Sequence, residues 1–298
     1  MSEPTAAPQP ASPAQRLRVP KTYKLYIGGG FPRSESGRSY PVYGPDETLL
    51  AHPAQASRKD VRDAVVAARK AQPGWAGATA YNRGQVLYRI AEMLDGRRAQ
   101  FAGEIEAVQG VSAQAALVEV DEGIDRWVYY AGWADKYAQV VGGTNPVAGP
   151  YFNFSLPEPM GVVGVIAPQQ SCLLGLVSVL APVLTTGNTA VVVASQALPL
   201  PAVSLAEVFA TSDLPGGAVN LLTGFTAELA GWLAGHRDVN AIDLTGVAGP
   251  ERAALQIQAA ENVKRVYAPP ASDWSADPGT ARLGAFVETK TVWHPIGA

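Results

Sequence analysis

The stretch from Gly161 to Tyr267 constrains the fold most, because five apolar runs follow one another in it: GVVGVIAP, NTAVVVAS, GAVNLLTG, VNAIDLTG and NVKRVYAP. Each is rich in β-branched residues and closed by Gly, Pro, Ser or Thr, the mark of a short strand buried on both faces. The intervening segments, Cys172 to Thr186, Pro199 to Thr211, Thr226 to Ala234 and Gly249 to Ala260, have helical length and apolar residues recurring at three and four. Strand and helix in steady alternation predict an α/β fold, a parallel sheet wrapped by right-handed crossovers. Sheets of that kind take ligands at the carboxyl ends of their strands, which selects residues 167 to 171, 194 to 197, 223 to 226 and 245 to 251.

Upstream, residues 1–20 carry prolines among Ala, Ser and Gln. That composition buries too little apolar surface to offset ordering entropy, and predicts a disordered tail. Lys24 to Gly30 and Arg38 to Tyr43 read as two short strands joined by a turn at Ser36 and Gly37. From Ser57 the period becomes helical, with a Ser cap and Val61, Ala64, Val65 and Ala68 on one face. Tyr81 to Phe101 and Val111 to Val140 continue as long helices, the second carrying Trp127, Tyr130, Trp133 and Tyr137 at helical spacing, a stripe read as packing. After the turn cluster Gly142 to Pro146, Tyr151 to Leu156 alternates with period two until a break at Pro157 to Pro159. Leu283 to His294 is a second extended segment. The expected divisions are therefore 1–20 tail, 21–141 helical part, 142–159 first hairpin strand, 160–268 sheet, 269–282 linker, and 283–298 terminal strand.

A net charge of −3 and the lack of Lys and Arg clusters interleaved with aromatics argue against nucleic acid as a partner. Every apolar run is interrupted well short of the ~20 residues of a membrane span. A single cysteine excludes an intramolecular disulfide. The opening residues lack the charged and apolar regions of a secretory signal, so the expected location is the cytoplasm.

Chemistry-bearing patterns are sparse. Gly161 and Gly164 lie within a strand and read as close packing, and no acidic residue follows the second strand to hold a ribose hydroxyl. His52, His236 and His294 have no metal-ligand spacing, so no metal site is expected. Cys172 is the one candidate nucleophile, in the first turn of a helix whose positive end lowers a thiol pKa; packing is the competing reading.

The order of KLYIGGG, ARKAQPGWAGATAYNRGQVLYRIAEML, EPMGVVGVIAP, LAPVLTTGNTAVV, LPGGAVNLLTG, LTG and ENVKRV resembles the aldehyde dehydrogenase superfamily from Lys21 to Val266. FVETKTVWHP resembles the C-terminal strand of that family's oligomerisation hairpin, so the resemblance implies a Rossmann-like sheet with a projecting hairpin. Carried over residue by residue, most functional positions differ. Where the family has the oxyanion Asn after Pro-Trp, this chain has Gln170 after Pro168 and Gln169. Where Lys-Pro-Ala-Glu contacts the cofactor ribose, it has Ala194, Ser195, Gln196 and Ala197. The Phe-Thr-Gly-Ser turn becomes Leu244, Thr245, Gly246 and Val247, and a Gly in the following helix becomes Glu251, whose charge would repel a pyrophosphate. After Val266 the Glu-Leu-Gly-Gly segment with the general base and the domain with the nucleophilic Cys are not found.

The resemblance therefore implies a non-catalytic structural or regulatory subunit that assembles, through Phe152, Phe154, Phe286, Val287, Val292 and Trp293, with a full-length aldehyde dehydrogenase or with itself. On this reading Pro168, Gln169, Ala194, Ser195, Gly224, Thr245, Gly246 and Val247 form a vestigial cofactor rim, with no cofactor bound. The alternative is a stand-alone NAD(P)-binding oxidoreductase or nucleotide sensor that uses the remaining rim and acylates at Cys172.

Overall fold

All five apolar runs become strands of one parallel sheet, and the helical segments between them return each chain crossing to its start. The computed structural model describes residues 19–270 and 273–297, so the tail expected over 1–20 lies outside the described residues but for its last two. In chain order the elements are β1 (Val42–Tyr43), β2 (Leu49–Ala51), α1 (Arg58–Gly77), α2 (Ala80–Asp95), α3 (Arg98–Gln109), α4 (Ala113–Trp133), α5 (Tyr137–Val141), β3 (Gly143–Thr144), β4 (Tyr151–Pro159) and β5 (Val162–Ile166). They continue with α6 (Leu174–Thr185), β6 (Thr189–Val193), α7 (Leu200–Phe209), β7 (Val219–Leu222), α8 (Thr226–Ala234), β8 (Ala241–Asp243), α9 (Gly249–Ala260), β9 (Arg265–Tyr267), α10 (Ala281–Ala285) and β10 (Val287–Pro295).

The central sheet runs β7-β6-β5-β8-β9. Its register sets Val162 against Thr189, Ala190 against Val219, Val163 against Ala241, and Ala241 against Arg265. Every residue of β5, β6 and β7 is buried, because helices cover both faces. One apolar cluster joins Val61, Val65, Leu229, Leu233 and Leu255 of α1, α8 and α9 to one face of the sheet. The other joins Leu87, Phe101, Trp127, Leu180 and Phe209 of α2, α3, α4, α6 and α7 to the opposite face. Trp127, Tyr130 and Tyr137 are buried and Trp133 is half-buried, so the aromatic stripe is core.

Ser57 caps α1 as its sequence predicts, in a capping box with Asp60. Both long helices of the first half are instead divided. The first breaks at Gly96 and Arg97 between α2 and α3, and the second at Ala134 to Lys136 between α4 and α5. The expected pairing of Lys24 to Gly30 with Arg38 to Tyr43 also gives way. Gly28 and Gly29, both at positive φ, fold Ile27 back onto Gly30 and end the extended run. Tyr26 exchanges two backbone hydrogen bonds with Leu221, which covers the β7 edge of the sheet, while Val42–Tyr43 pairs with Leu49–Ala51.

A separate three-stranded sheet, in the order β10-β4-β3, is antiparallel and aligns Val287 with Pro159 through to Pro295 with Tyr151. The break expected at Pro157 to Pro159 does not occur. β3 pairs only with Phe154 and Ser155, so past Ser155 one flank of β4 is an edge, where a residue without an N–H is tolerated. The extended segment expected over Leu283 to His294 begins instead at Val287. Leu283 to Ala285 lie in α10, and Phe286, expected as a strand residue for assembly, is buried in the core against Tyr267 at 5.9 Å between ring centroids. The Phe286 carbonyl accepts from Met160 N and Asn188 Nδ2, which fixes the start of β10 to the sheet.

Candidate functional site

The carboxyl rim of the sheet is tied to itself by hydrogen bonds. The Gln169 side-chain amide donates to Ala167 O at 2.8 Å, while its Oε1 accepts from Gln196 N at 2.9 Å and from Thr226 Oγ1 at 3.4 Å. Ser195 Oγ donates to Gln169 O and accepts from Leu198 N, and Gln196 Oε1 accepts from Thr226 N. One network thus spans the ends of β5, β6 and β7. Pro168, Ala194, Ser195, Gly224 and Val247 are buried, and only Gln169, Thr245 and Gly246 of the eight rim residues retain partial exposure.

Gly246 is required by packing at the point where strand order reverses between β5 and β8. Its N–H donates to Ile166 O, and a Cβ there would overlap the Ala167 carbonyl. Gly224, at positive φ, sits against Leu229 and the backbone of Ala56. Thr245 N and Oγ1 both bond Asp243 Oδ1. The Gly246 N–H is thus engaged within the sheet, and Glu251 places an acidic group in the first turn of α9.

At the start of α6 the anion position is occupied by the chain itself. The helix has no side-chain cap from its own N-cap residue, Leu173. Glu119 of α4 fills the role, its Oε1 accepting from Leu173 N, Leu174 N and Ser171 Oγ at 3.1 to 3.2 Å. Cys172 lies beside it, buried, with Gln109 Nε2 at 3.0 Å from the sulfur. Burial, and then the Glu119 charge, push the Cys172 thiol well above its ordinary value, opposite to the lowering expected from the helix end. Gln170, in contrast, is exposed. Such burial is the setting of a packing thiol and makes a poor nucleophile.

The strongest electrostatic feature was not visible in the sequence. Asp243, the last residue of β8, is fully buried and pairs with Arg282 Nη1 at 3.0 Å. Arg282 lies over the rings of Tyr267 and Trp274, at 5.2 and 5.4 Å from their centroids. Burial holds the Asp243 carboxyl above the ordinary range against the opposing pull of Arg282. Arg126 Nη2 donates to Trp274 O at 2.6 Å and Ala276 O at 3.2 Å. The segment expected as a bare linker is thus bonded to α4 and to the sheet. An aspartate between Ile242 and Leu244 in a strand buried on both faces is the signal that a buried cation must exist elsewhere in the chain.

The β3-β4-β10 sheet is the converse. Phe152, Leu156 and Trp293 are 47%, 42% and 58% exposed. Phe152 contacts Phe154, and Tyr151 meets Trp293 edge to face across the strands. Among the described residues β10 pairs with β4 on one flank only, and on the other flank Arg265 Nη1 donates to Val287 O while no strand adds to the rest of the edge. Among the described residues no helix is long and apolar enough to cross a membrane, and no group of three or more His, Cys, Asp or Glu side chains is placed to hold a metal.

Known proteins share both the sequence and the architecture. Aldehyde dehydrogenase 1A1 of Rattus norvegicus is 34% identical over 272 residues, covering 89% of this chain and 53% of that protein. Aldehyde dehydrogenase, cytosolic 1, of Elephantulus edwardii is 32% identical over 265 residues, covering 87% and 52%. Among solved structures, the NAD+ complex of an aldehyde dehydrogenase from Bacillus cereus superposes with a TM-score of 0.77 at 30% identity, over 83% of this chain and 50% of that one. A putative aldehyde dehydrogenase from Burkholderia cenocepacia gives 0.79 at 28% identity, over 82% and 50%. The chain spans about half the length of the curated relatives it matches. The model of the aldehyde dehydrogenase family matches residues 31–269, and with the parallel sheet and its helices in the same order, the chain belongs to that family.

Proposed function

We propose that this chain is a non-catalytic structural or regulatory subunit that assembles with a full-length NAD(P)-dependent aldehyde dehydrogenase in the cytoplasm, and with copies of itself when that partner is absent. The observation that carries this reading is the β3-β4-β10 sheet. A sheet of so few strands is barely stable alone, and this one leaves Phe152, Leu156 and Trp293 exposed beside an open β10 edge. Unpaired edges of that length are covered by another chain or blunted by charge and proline. The rim supports the non-catalytic half of the reading. Its polar groups bond one another, Gln170 stands apart in solvent, and Cys172 is buried beside Glu119, so no nucleophile, base and oxyanion donor converge.

The test is co-purification followed by size-exclusion chromatography of the full chain and a Val287→Pro, Val292→Pro variant. The two positions lie an odd number of residues apart, so one proline removes a donor from the β4 ladder and the other a donor from the open flank. The expected result is release of the partner while the central sheet stays folded. A double variant that still co-elutes with its partner rejects the hairpin as the joint.

A further inference from the structure

Outside the rim and the hairpin, one enclosed site has polar groups that the assembly reading leaves unused. Between α4, α6 and the segment that leads to α10 lies a cavity of about 270 Å³, lined by Arg126, Tyr130, Ser178, Tyr267, Trp274 and Arg282. Tyr130 Oη and Ser178 Oγ are buried and meet no hydrogen-bond partner among the described residues. Buried hydroxyls left so are uncommon and costly, and two facing one cavity point to a common acceptor. Arg126 is buried too, and donates through Nη2 to the Trp274 and Ala276 carbonyls, with no carboxylate partner among the described residues. Arg282 is committed to Asp243 and to the two rings.

The interior is therefore rich in donors and poor in acceptors, with the rings of Tyr267 and Trp274 as walls. Two acidic side chains, Asp273 and Asp277, stand at the mouth and are exposed. Their carboxylates turn to their own loops: Asp273 Oδ1 accepts from Ser275 N and Oγ, and Asp277 Oδ1 from Gly279 N. The volume is several times the ~30 Å³ share of one water and near the lower end, ~300 Å³, of small-molecule pockets.

We propose that this cavity binds a small organic carboxylate, whose oxygens accept from Arg126, Tyr130 and Ser178 and whose apolar body lies against Tyr267 and Trp274. Guanidinium and hydroxyl donors around a partly desolvated carboxylate form the stronger, charge-assisted class of hydrogen bond. A ligand there would also hold the 273–282 segment to α4 and α6, so binding stabilises the attachment of β10.

The experiment is calorimetric titration of the full chain with benzoate and propionate, with benzamide as the uncharged analogue of benzoate's shape. Benzoate is expected to bind at one site, and benzamide about tenfold or more weakly. Tyr130→Phe and Ser178→Ala each delete a hydroxyl that has no hydrogen-bond partner among the described residues. Each is expected to leave the unliganded melting temperature unchanged or raised while weakening benzoate about tenfold. The proposal is overturned if neither carboxylate binds, if benzamide binds as well as benzoate, or if both variants bind benzoate like the parent chain. It is equally overturned if both variants melt earlier without ligand, because the hydroxyls would then be satisfied by structural water.

Discussion

The rim of the central sheet and the sheet of β4 and β10 treat their surface groups in opposite ways. At the rim, Gln169, Ser195, Gln196 and Thr226 exhaust their polar groups on one another, and Glu119 satisfies the start of α6. In the projecting sheet, Phe152, Leu156 and Trp293 stay largely exposed, and among the described residues no strand pairs with the outer flank of β10. A surface that satisfies itself gains nothing from a visitor, whereas one that does not is stabilised by whatever covers it. The contrast is the reason the proposed assembly is assigned to the projecting sheet, while the rim contributes to the stability of the fold.

The sharpest way to break the contrast is at Asp243 and Arg282. Arg282→Ala leaves a buried carboxylate uncompensated and is expected to cost about 3–5 kcal/mol in denaturant unfolding, as is characteristic of a buried pair cut on one side. The paired change Asp243→Leu with Arg282→Met should recover most of that loss. Equal losses in the single and double variants would show that Arg282 acts through the Tyr267 and Trp274 rings and not through Asp243.

Next in size is the projecting sheet. Trp293→Asp with Phe152→Asp changes exposed side chains and should leave unfolding within about 0.5 kcal/mol, while dissociation of the assembled state, read by light scattering across a dilution series, shifts by an order of magnitude or more. Unfolding that moves with association would make the sheet part of the folded core. Gln169→Ala tests the rim: losing its bonds to Gln196 and Thr226 should cost about 1–2 kcal/mol. The variant should still show no thermal stabilisation by NAD, and stabilisation would mean that the glutamine merely blocks a competent site.

A pH-dependent effect is expected at Lys264, whose ammonium donates to the His236 and Val239 carbonyls and is pushed down by burial to about 8. Between about 8 and the ordinary value of 10.5 the unfolded chain binds more protons than the folded one, so stability should rise with pH across that window. In Lys264→Met the rise should vanish, and its persistence would assign it to other groups.

Much of the fold was legible because each strand announces itself within a few residues. GVVGVIAP and NTAVVVAS need no distant information to be read as buried strands, and the helices between them carry their own period. What escaped was decided over longer range or by single residues. Phe286 looks like one more apolar residue of a terminal strand, yet a single turn of helix before it delivers the ring to the core against Tyr267. The prolines at 157 and 159 read as a break because the early end of β3 is invisible locally. Of the rim, the residues themselves were foreseen, but their mutual bonding was not, since amides and hydroxyls have no spacing rule. At Cys172 the helix end was legible, and Glu119 from another helix beside it was not.

The pairing of Asp243 with Arg282 also has a consequence in time. The two residues are 39 positions apart, so at synthesis rates of ~5–20 residues per second the carboxylate leads its cation by roughly 2–8 s. Through that interval β8 can join the sheet only by burying an unmatched carboxylate or by protonating it, either at a cost, and β9 waits on β8. The β7-β6-β5 half with its helices is therefore expected to form first. Slowing translation between Asp243 and Arg282 should lengthen the life of that half-sheet, with its β5 edge open to chaperones.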